Sequence, residues 1–315
     1  MNDMDALFRG CIRVEETSEG YVPLRFSQER LEAYDKAPSK PYGRFPASVR
    51  MEFWTDAREI SFRYQIIRSC DTPIMFDIYE NDCFRASIAA RAASGYVKYH
   101  LENAGKTKVS VYLPCAAQVA LSDFDLKEER RVFEPGRPKL LILGDSICQG
   151  LFGTHPSLGL VPTMGRILGI STLNLSVGGD LHHPDWLDTD ICEPERILVA
   201  LGTNDWAYGA GRKEFSEKLS GYYDKLIKIY PGIPIAVVMP IPILTVFKEP
   251  RERIEDFLFI RNAIRENAIR RGLRLVDGYE MVPADQSFYY DHAHPNDLGF
   301  QVYAMNLMRA LREWF

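Results

Sequence analysis

The sequence of 315 residues has few of the features that mark secreted, membrane or metal-binding proteins. Its six cysteines lie far apart, without a CxxC pair or matching histidines, which argues against a disulfide framework or a zinc site and predicts free, buried thiols. No apolar run approaches the ~20 residues that a membrane-spanning helix needs. The polar, acidic N-terminus shows no basic segment followed by an apolar core. Because no secretory signal is visible, we expect a cytoplasmic protein that does not bind membranes.

A strong charge of either sign is missing as well. The formal net charge is −5, which gives no electrostatic reason to expect nucleic acid or an anionic membrane as a partner. Hydrophobic residues make up 46% of the chain, so there is ample material for a core, and the length favours two domains or one elaborated domain. The oligomeric state is left open, and a homo-oligomer is among the states allowed.

The first half of the chain has the alternating pattern of short β-strands separated by turn signals, which is typical of an antiparallel sandwich. The clearest segments are 49–54 (VRMEFW), 59–66 (EISFRYQI), 73–79 (PIMFDIY) and 108–113 (KVSVYL). A charged and then Pro/Gly-rich stretch at 127–138 predicts a linker. We therefore predict an N-terminal β-sandwich domain over residues 1–136.

From residue 137 onward, apolar strands alternate with amphipathic helices, which is typical of parallel βαβ units. The predicted strands are 140–143, 172–175, 196–201, 233–239 and 273–276, and the clearest helices are 213–229, 252–271 and 297–314. The predicted fold class is α/β, a flavodoxin-like doubly wound parallel sheet of five strands over residues 137–315 behind the sandwich. Ligands of such sheets bind beyond the carboxyl ends of the strands, so the residues after each strand matter most.

Three strand ends carry polar residues or glycines at the edge where ligands bind. The first strand leads into GDSICQG, which places Ser146 at the start of a helix with its hydroxyl and its N–H exposed. The second leads into NLSVGGD, where Gly178 and Gly179 let the backbone approach a bound group. The third leads into GTND, which adds the side-chain amide of Asn204 at the same rim.

A fourth segment, DHAHP at 291–295, follows the last strand. Its spacing predicts Asp291 and His294 on one side of a helical turn, so that the carboxylate reaches Nδ1–H and leaves Nε2 as a base. Taken singly, each of the four segments has an ordinary role as a helix cap or a turn. Their joint placement at one sheet edge favours a catalytic site.

These four segments resemble the characteristic blocks of the SGNH (GDSL-like) hydrolase superfamily, over roughly residues 139–315. GDSI matches the nucleophile block, NLSVGGD the glycine block, GTND the asparagine block and DHAHP the terminal block. The resemblance implies a serine esterase with Ser146 as the nucleophile, and with Asp291 and His294 completing the triad. It implies no metal and no organic cofactor.

The same resemblance implies an oxyanion hole formed by the N–H groups of Ser146 and Gly179 and the amide of Asn204. Gly178 is the alternative donor, because the doubled glycine leaves an ambiguity of one residue. The arrangement differs from the GxSxG elbow of ordinary α/β-hydrolases, where Asp and His lie far apart in the chain.

The N-terminal half looks like the β-sandwich domain that precedes the catalytic domain in some bacterial SGNH esterases, including carbohydrate-acting and polyketide-tailoring kinds. The matching stretches are 44–46 (RFP) and 53–57 (FWTDA). This arrangement favours a carbohydrate or similar small-molecule ester as substrate, with short O-acyl groups, above all acetyl, being hydrolysed. The alternatives are a lipase, acyl-thioesterase or acyltransferase with the same triad, and a carbohydrate-binding protein with a vestigial triad.

Residues beside these blocks are further candidates for substrate contact, with core packing or solvent exposure as the ordinary alternatives. They are Asp145, His182, His183, Trp206 and Tyr208. A metal pair at the two histidines is not expected, because adjacent residues on a helix point in different directions. The proline-rich loop at 240–250 is expected to border the cleft.

Overall fold

The computed structural model describes residues 3–36, 41–70, 72–103, 105–129, 138–187 and 192–315. The predicted linker at 127–138 falls mainly on residues 130–137, which lie outside the described residues, and the boundary between 136 and 137 stays a prediction. In the described ranges, no helix combines the length and the apolar character that crossing a membrane requires.

Some of the N-terminal strands alternate between buried and partly exposed positions, as the sequence pattern predicts, and others are buried along most of their length. In chain order they are β1 (Phe8–Arg9), β2 (Arg13–Thr17), β3 (Gly20–Leu24), β4 (Arg50–Thr55), β5 (Glu59–Ser69), β6 (Met75–Glu80), β7 (Cys83–Ala89), β8 (Ser94–His100), β9 (Thr107–Tyr112), β10 (Ala117–Asp125) and β11 (Glu128–Glu129). In β4, Met51, Phe53 and Thr55 are buried and the residues between them are not. A period of two places these side chains on one face of the strand.

These strands form two antiparallel sheets that share one apolar core. One sheet has the order β1-β4-β9-β6-β7, with β11 paired to β4, and the other has the order β2-β3-β10-β5-β8. Phe53 and Val111 of the first sheet lie in the same buried cluster as Phe62, Val97 and Val119 of the second. The predicted β-sandwich architecture is confirmed.

A parallel sheet follows. Its strands are β12 (Leu140–Gly144), β13 (Thr172–Asn174), β14 (Arg196–Ala200), β15 (Ile235–Val238) and β16 (Arg274–Val276). Within the described residues the order is β13-β12-β14-β15-β16, so the chain first turns to one side of β12 and then continues on the other. Leu140, Leu141 and Ile142 are all fully buried, as expected for a strand covered on both faces. The predicted flavodoxin-like sheet is confirmed.

Helices cover both faces of the parallel sheet. The helices are α1 (Gln28–Asp35), α2 (Ser146–Gln149), α3 (Leu160–Leu168), α4 (Thr203–Ala207), α5 (Arg212–Ile229), α6 (Arg251–Arg270) and α7 (Asp297–Ala310). α5 and α6 contribute to the core on one face, and α3 and α7 to the core on the other. In α5, Phe215, Leu219, Tyr222 and Leu226 are buried, the spacing of one helix face.

The end of β3 and helix α1 leave the sandwich and pack on the parallel sheet. Leu24, Phe26, Leu31 and Tyr34 are buried in the same apolar cluster as Leu175, which directly follows β13. Part of the N-terminal region therefore lies against the carboxyl edge of the parallel sheet, where the sequence predicts the chemistry.

The prediction that the thiols are buried holds for half of them. Cys11, Cys115 and Cys148 are buried, Cys70 and Cys192 are half-buried, and Cys83 is exposed. Cys83 begins β7, which lies at the end of its sheet, and an edge strand covers its side chains less well than a central one.

Candidate active site

Ser146 is the first residue of α2 and follows the carboxyl end of β12. The sheet order reverses direction at β12, and doubly wound sheets bind their ligands at such a switch point. The Asp145 carboxylate caps the helix by accepting the N–H of Ile147 at 2.9 Å. Ser146 is only 8% exposed, so its hydroxyl occupies a largely covered position at the rim of the sheet.

Two hydrogen bonds join Ser146 to Asp291 through His294. Ser146 Oγ lies 2.9 Å from His294 Nε2, and His294 Nδ1 lies 2.8 Å from Asp291 Oδ2. In the tautomer with its proton on Nδ1, the imidazole donates to the carboxylate and Nε2 accepts the hydroxyl proton. This arrangement can serve as a nucleophile, a general base and an orienting carboxylate.

The segment from Asp291 to His294 is a turn outside any helix, so the prediction of a helical turn is wrong. Asp291 Oδ1 accepts the N–H groups of Ala293 and His294, each at 2.7 Å. An aspartate that accepts hydrogen bonds from the backbone downstream of it can close a turn by itself. The spacing of three residues therefore brings carboxylate and imidazole together through a turn that the carboxylate itself closes.

Asp291 is ionised at neutral pH. Partial burial acts to raise its pKa, but hydrogen bonds from the His294 imidazole and from the backbone N–H groups of His294 and Ala293 outweigh burial and hold the pKa well below its usual range. A carboxylate in this position fixes the tautomer of the imidazole and stabilises the imidazolium that proton transfer would create.

The proline-rich loop after β15 packs against this turn. Leu244 donates its N–H to the carbonyl of His292 at 2.8 Å, and the Tyr289 hydroxyl donates to the carbonyl of Pro242 at 3.0 Å. The loop at 240–250 therefore lies beside the turn that carries Asp291 and His294.

The two adjacent glycines differ in what their N–H groups contact. Gly178 donates its N–H to Oε1 of Gln149 at 2.7 Å. Gly179 has a φ of +82°, a conformation that favours glycine, and its N–H makes no hydrogen bond within the part of the chain that the structure describes. Within the described residues, the N–H of Gly179 is therefore the one not already engaged, which favours Gly179 over Gly178 as the predicted donor.

Asn204 lies in the first turn of α4, directly after β14. Its Nδ2 donates to the carbonyl of Asp180 at 3.0 Å, which ties the asparagine to the glycine segment, residues 174–180. A side-chain amide has two N–H donors, so one remains for another acceptor. The structure thus brings the second and third predicted segments into direct contact.

Comparison with known proteins decides the family. Residues 142–302, a little over half of the chain, match the GDSL-like Lipase/Acylhydrolase family. The chain belongs to this family. The predicted enzyme class of this acylhydrolase, a serine-type carboxylic ester hydrolase, is confirmed. No curated protein matches the chain by sequence.

Solved structures similar to the acylhydrolase share its fold along nearly the whole chain. The salicylyl-acyltransferase SsfX3 from a tetracycline biosynthetic pathway is 19% identical, with 98% of this chain and 94% of that chain covered and a TM-score of 0.82. A protein described as a GDSL-like lipase from Bacteroides ovatus ATCC 8483 is 16% identical, with 98% and 95% covered and a TM-score of 0.73. The acetyl xylan esterase Est2A from Butyrivibrio proteoclasticus is 14% identical, with 99% and 96% covered and a TM-score of 0.64. At these identities the likeness establishes a common fold.

Asp145 is buried beside the nucleophile of the acylhydrolase. Removal from water raises the pKa of its carboxyl to about 6, and the hydrogen bond from the Ile147 N–H offsets only part of that effect. The side chain caps α2 from inside the protein, so the structure places it behind Ser146 and not on a surface that a substrate reaches.

His182 and Trp206 lie in the protein interior. His182 Nδ1 is 3.0 Å from Asp205 Oδ2 in a fully buried pair. Trp206 Nε1 donates to the carbonyl of Arg253 at 2.8 Å, and its ring packs edge to face on Phe257. For these two residues the structure corrects the predicted substrate contact, because neither side chain reaches the surface of the cleft.

His183 and Tyr208 are nearer to solvent. The His183 ring stacks on Trp186 with 4.9 Å between centroids, and Tyr208 is an exposed residue at the end of α4. A contact of either with the substrate stays a prediction. Among the described residues, no group of three or more histidine, cysteine, aspartate or glutamate side chains is arranged to hold a metal ion.

An aromatic pair beside the imidazole was not predicted from the sequence. The Phe152 ring lies 4.4 Å from the His294 ring and stacks on Tyr290 at 5.3 Å, centroid to centroid. Tyr290 is 58% exposed. Phe152 has a φ of +71°, which is uncommon for a residue with a side chain and recurs at functional sites. No sequence signal announces this conformation, since it usually calls for glycine or asparagine.

Proposed function

We propose that this acylhydrolase is a serine esterase that removes short O-acyl groups, above all acetyl, from a carbohydrate or a similar small molecule. The observation that carries the proposal is the pair of hydrogen bonds at 2.9 and 2.8 Å that links Ser146, His294 and Asp291. Both distances are those at which a proton moves between positioned groups without rearrangement.

In the first half-reaction, Ser146 Oγ attacks the ester carbonyl while His294 Nε2 takes the hydroxyl proton. Asp291 holds the imidazole in the required tautomer and stabilises its charged form. The carbonyl oxygen becomes an oxyanion, which accepts hydrogen bonds from the N–H groups of Ser146 and Gly179 and from the amide of Asn204. Collapse of this intermediate breaks the bond to the alcohol, which leaves with the proton that His294 returns.

In the second half-reaction, water attacks the acyl group on Ser146, and His294 takes the proton of that water. The same donors receive the new oxyanion, and its collapse releases the carboxylic acid and restores the serine hydroxyl. This chain's own residues supply each proton transfer that the cycle needs.

One feature of the site supports a ring-shaped alcohol portion, and one likeness to a known protein supports a short acyl group. The half-exposed aromatic pair of Phe152 and Tyr290 offers flat faces beside His294, and aromatic faces suit the apolar side of a sugar ring. The relative from Butyrivibrio proteoclasticus is named as an acetyl xylan esterase.

Acyl transfer is a second candidate, favoured by the likeness over 98% of the chain to a protein named as a salicylyl-acyltransferase. The first half-reaction is the same, and an alcohol takes the place of water in the second. The two functions are separated by how the acyl-enzyme divides between water and an added alcohol. Formation of new ester at the expense of free acid would establish transfer.

The proposed function is tested with a panel of acetylated sugars, p-nitrophenyl acetate and p-nitrophenyl octanoate, run on the parent protein and on Ser146→Ala. We expect acetyl substrates to be preferred and Ser146→Ala to lose about 10⁴- to 10⁶-fold in kcat, as in other triads. A strong preference for octanoate would favour a lipase. A folded Ser146→Ala variant with a tenth of the parent activity would contradict the assigned nucleophile.

A fluorophosphonate probe tests the non-enzymatic alternative, because it labels only an activated serine. Labelling of the parent and not of Ser146→Ala is the expected result. A folded parent protein that takes no label would favour a carbohydrate-binding protein with an inactive triad.

A further inference from the structure

Arg25 is a buried cation that the N-terminal region places beneath the glycine segment. It follows β3 and is only 1% exposed. Its guanidinium donates to the carbonyl of Phe45 at 2.7 Å, to that of Ser176 at 2.9 Å and to that of Tyr42 at 3.4 Å. The carbonyl of Asn174 accepts a further hydrogen bond from Nη1.

All four acceptors are main-chain carbonyls, and they come from two separate segments. Tyr42 and Phe45 belong to the N-terminal region, whereas Asn174 and Ser176 belong to the glycine segment that leads to Gly179. A planar guanidinium carries five N–H donors in fixed directions, so it can hold several carbonyls at once, in a way that a lysine ammonium does not reproduce. Arg25 therefore fixes the two segments relative to each other.

Keeping a charge in this position opposes folding. Burial lowers the pKa of Arg25 to about 10, so the group stays protonated at neutral pH, and its hydrogen-bond acceptors among the described residues include no carboxylate. Burying a cation is costly unless hydrogen bonds replace those to water, and apolar residues often stabilise a core equally well. Stability alone therefore does not require an arginine at this position, and its hydrogen bonds to these carbonyls call for another explanation.

Other N-terminal residues hold the same segment at both ends. Near its start, Asn174 Nδ2 donates to Ser48 Oγ at 2.9 Å and to the carbonyl of Cys148 at 2.8 Å. At its end, the Tyr34 hydroxyl donates to Asp180 Oδ2 at 3.1 Å. The conformation of the segment is therefore set jointly by the N-terminal region and by the residues that follow the nucleophile.

The middle of the segment is in close contact with the N-terminal region as well. A Cβ added to Gly178 would lie 2.6 Å from the ring of Tyr42 and 2.9 Å from Leu151. Gln149 bridges the same two regions, since it accepts the Gly178 N–H and donates to the carbonyl of Tyr42 at 3.1 Å. A shift of residues 41–46 would therefore move the peptide that precedes Gly179.

We propose that Arg25 is a positioning residue of the oxyanion hole. By holding two carbonyls of the glycine segment, it sets the direction in which Gly179 presents its N–H. The carbonyl of Asp180, in the same segment, accepts a hydrogen bond from Asn204. Arg25 therefore also helps to position the side-chain amide of Asn204. The N-terminal segment that leaves the sandwich after β3 then helps to shape the oxyanion hole. This inference rests on the oxyanion roles of Gly179 and Asn204 proposed above.

The test compares Arg25→Met with Arg166→Met. Arg166 also joins the two regions: it donates to the carbonyl of Ser157 at 3.0 Å and lies 4.8 Å from the ring centroid of Tyr79. It makes no contact with the glycine segment in the described structure, so Arg166→Met controls for the loss of a partly buried guanidinium at the junction.

For Arg25→Met we expect kcat on p-nitrophenyl acetate to fall about 10- to 100-fold with little change in KM, because a displacement of about 1 Å near reacting atoms costs on that order. Affinity for an alkylboronic acid, which forms a tetrahedral adduct with the serine, should fall by a similar factor. Arg166→Met should keep the parent's kcat and boronate affinity, even if its melting temperature falls as much as that of Arg25→Met.

Arg25→Lys supplies the conservative variant. It keeps the charge but lacks the planar fork, so we expect it to recover part of the lost kcat. A folded Arg25→Met with the kcat and boronate affinity of Arg166→Met would overturn the proposal. So would a fall confined to KM, or the failure of both Arg25 variants to fold, which would assign Arg25 to stability alone.

Failure of this inference is distinguishable from failure of the proposed function. If the parent protein cleaves p-nitrophenyl acetate and Ser146→Ala does not, the esterase assignment stands whatever the Arg25 variants show. If the parent is inactive and takes no fluorophosphonate label, the assignment itself is wrong, and the positioning role falls with it.

Discussion

The buried carboxyl of Asp145 contributes a stabilisation that this protein loses as the solution turns from acid to neutral, and Asp145→Asn removes that contribution. The rise in its pKa from 3.8 to about 6 corresponds to about 3 kcal/mol at 1.36 kcal/mol per pKa unit. Between these two values the native protein binds the proton more tightly than the unfolded chain does. The stabilisation is therefore complete below about pH 4 and is lost as the pH rises through about 6.

Asp145→Asn removes the titrating group and keeps the cap, because an asparagine oxygen can still accept the Ile147 N–H and both residues are good N-caps. The buried amide changes the free energy of unfolding by an amount that does not depend on pH. On top of that constant, the free energy of unfolding of the variant should rise by about 3 kcal/mol relative to that of the parent between about pH 4 and pH 7.

Urea denaturation of both proteins across this range measures the difference. Asp285→Asn is a matched control: Asp285 makes the same kind of cap, to the Ser287 N–H at 2.9 Å, but at the surface. Hydrogen bonds from the side chain and the backbone of Ser287 lower the pKa of Asp285, so its contribution is present at neutral pH and is lost on acidification, with the opposite sign. A difference between Asp145→Asn and the parent that stays constant with pH would refute the reasoning.

Two further substitutions address the site directly. Asn204→Ala should lower kcat about 10²- to 10³-fold, the usual effect of removing one oxyanion donor, and a change confined to KM in steady-state assays would place Asn204 in substrate binding instead. Phe152→Gly should be about 1 kcal/mol more stable to urea than Phe152→Ala, because only glycine adopts a φ of +71° without steric cost. Equal stability of the two Phe152 variants would show that the backbone is not strained there.

The parallel sheet could be predicted from sequence because its strands are buried on both faces. Leu140, Leu141 and Ile142 form an unbroken apolar run, and short apolar runs that alternate with helical stretches indicate strands of a parallel sheet. Helix α3 gave no such signal, since Pro162 and Gly165 lie within it. Pro162 is tolerated because the N–H groups of the first turn have no partner inside the helix.

The sequence predicts those site residues that directly follow a strand. It does not predict those whose position depends on tertiary contacts. Ser146 and Asn204 lie at the carboxyl edge because β12 and β14 end there. Trp206 is only two residues beyond Asn204, but residues two apart on a helix face different directions, and α4 turns the indole into the core. Arg25 and Phe152 are far in sequence from the groups they contact, so no local pattern reveals them.

The apolar cluster that unites Leu24, Phe26, Leu31 and Tyr34 with the parallel sheet has a consequence for protein engineering. Fusing the catalytic half alone to another domain would expose the apolar face of the parallel sheet that these residues cover. It would also remove Arg25 and Tyr34, whose hydrogen bonds hold the glycine segment. A chimera that keeps residues 20–50 together with the α/β layers preserves both. The boundary at which this enzyme can be divided for recombination therefore differs from the point at which its sequence pattern changes from β-strands to alternating strands and helices.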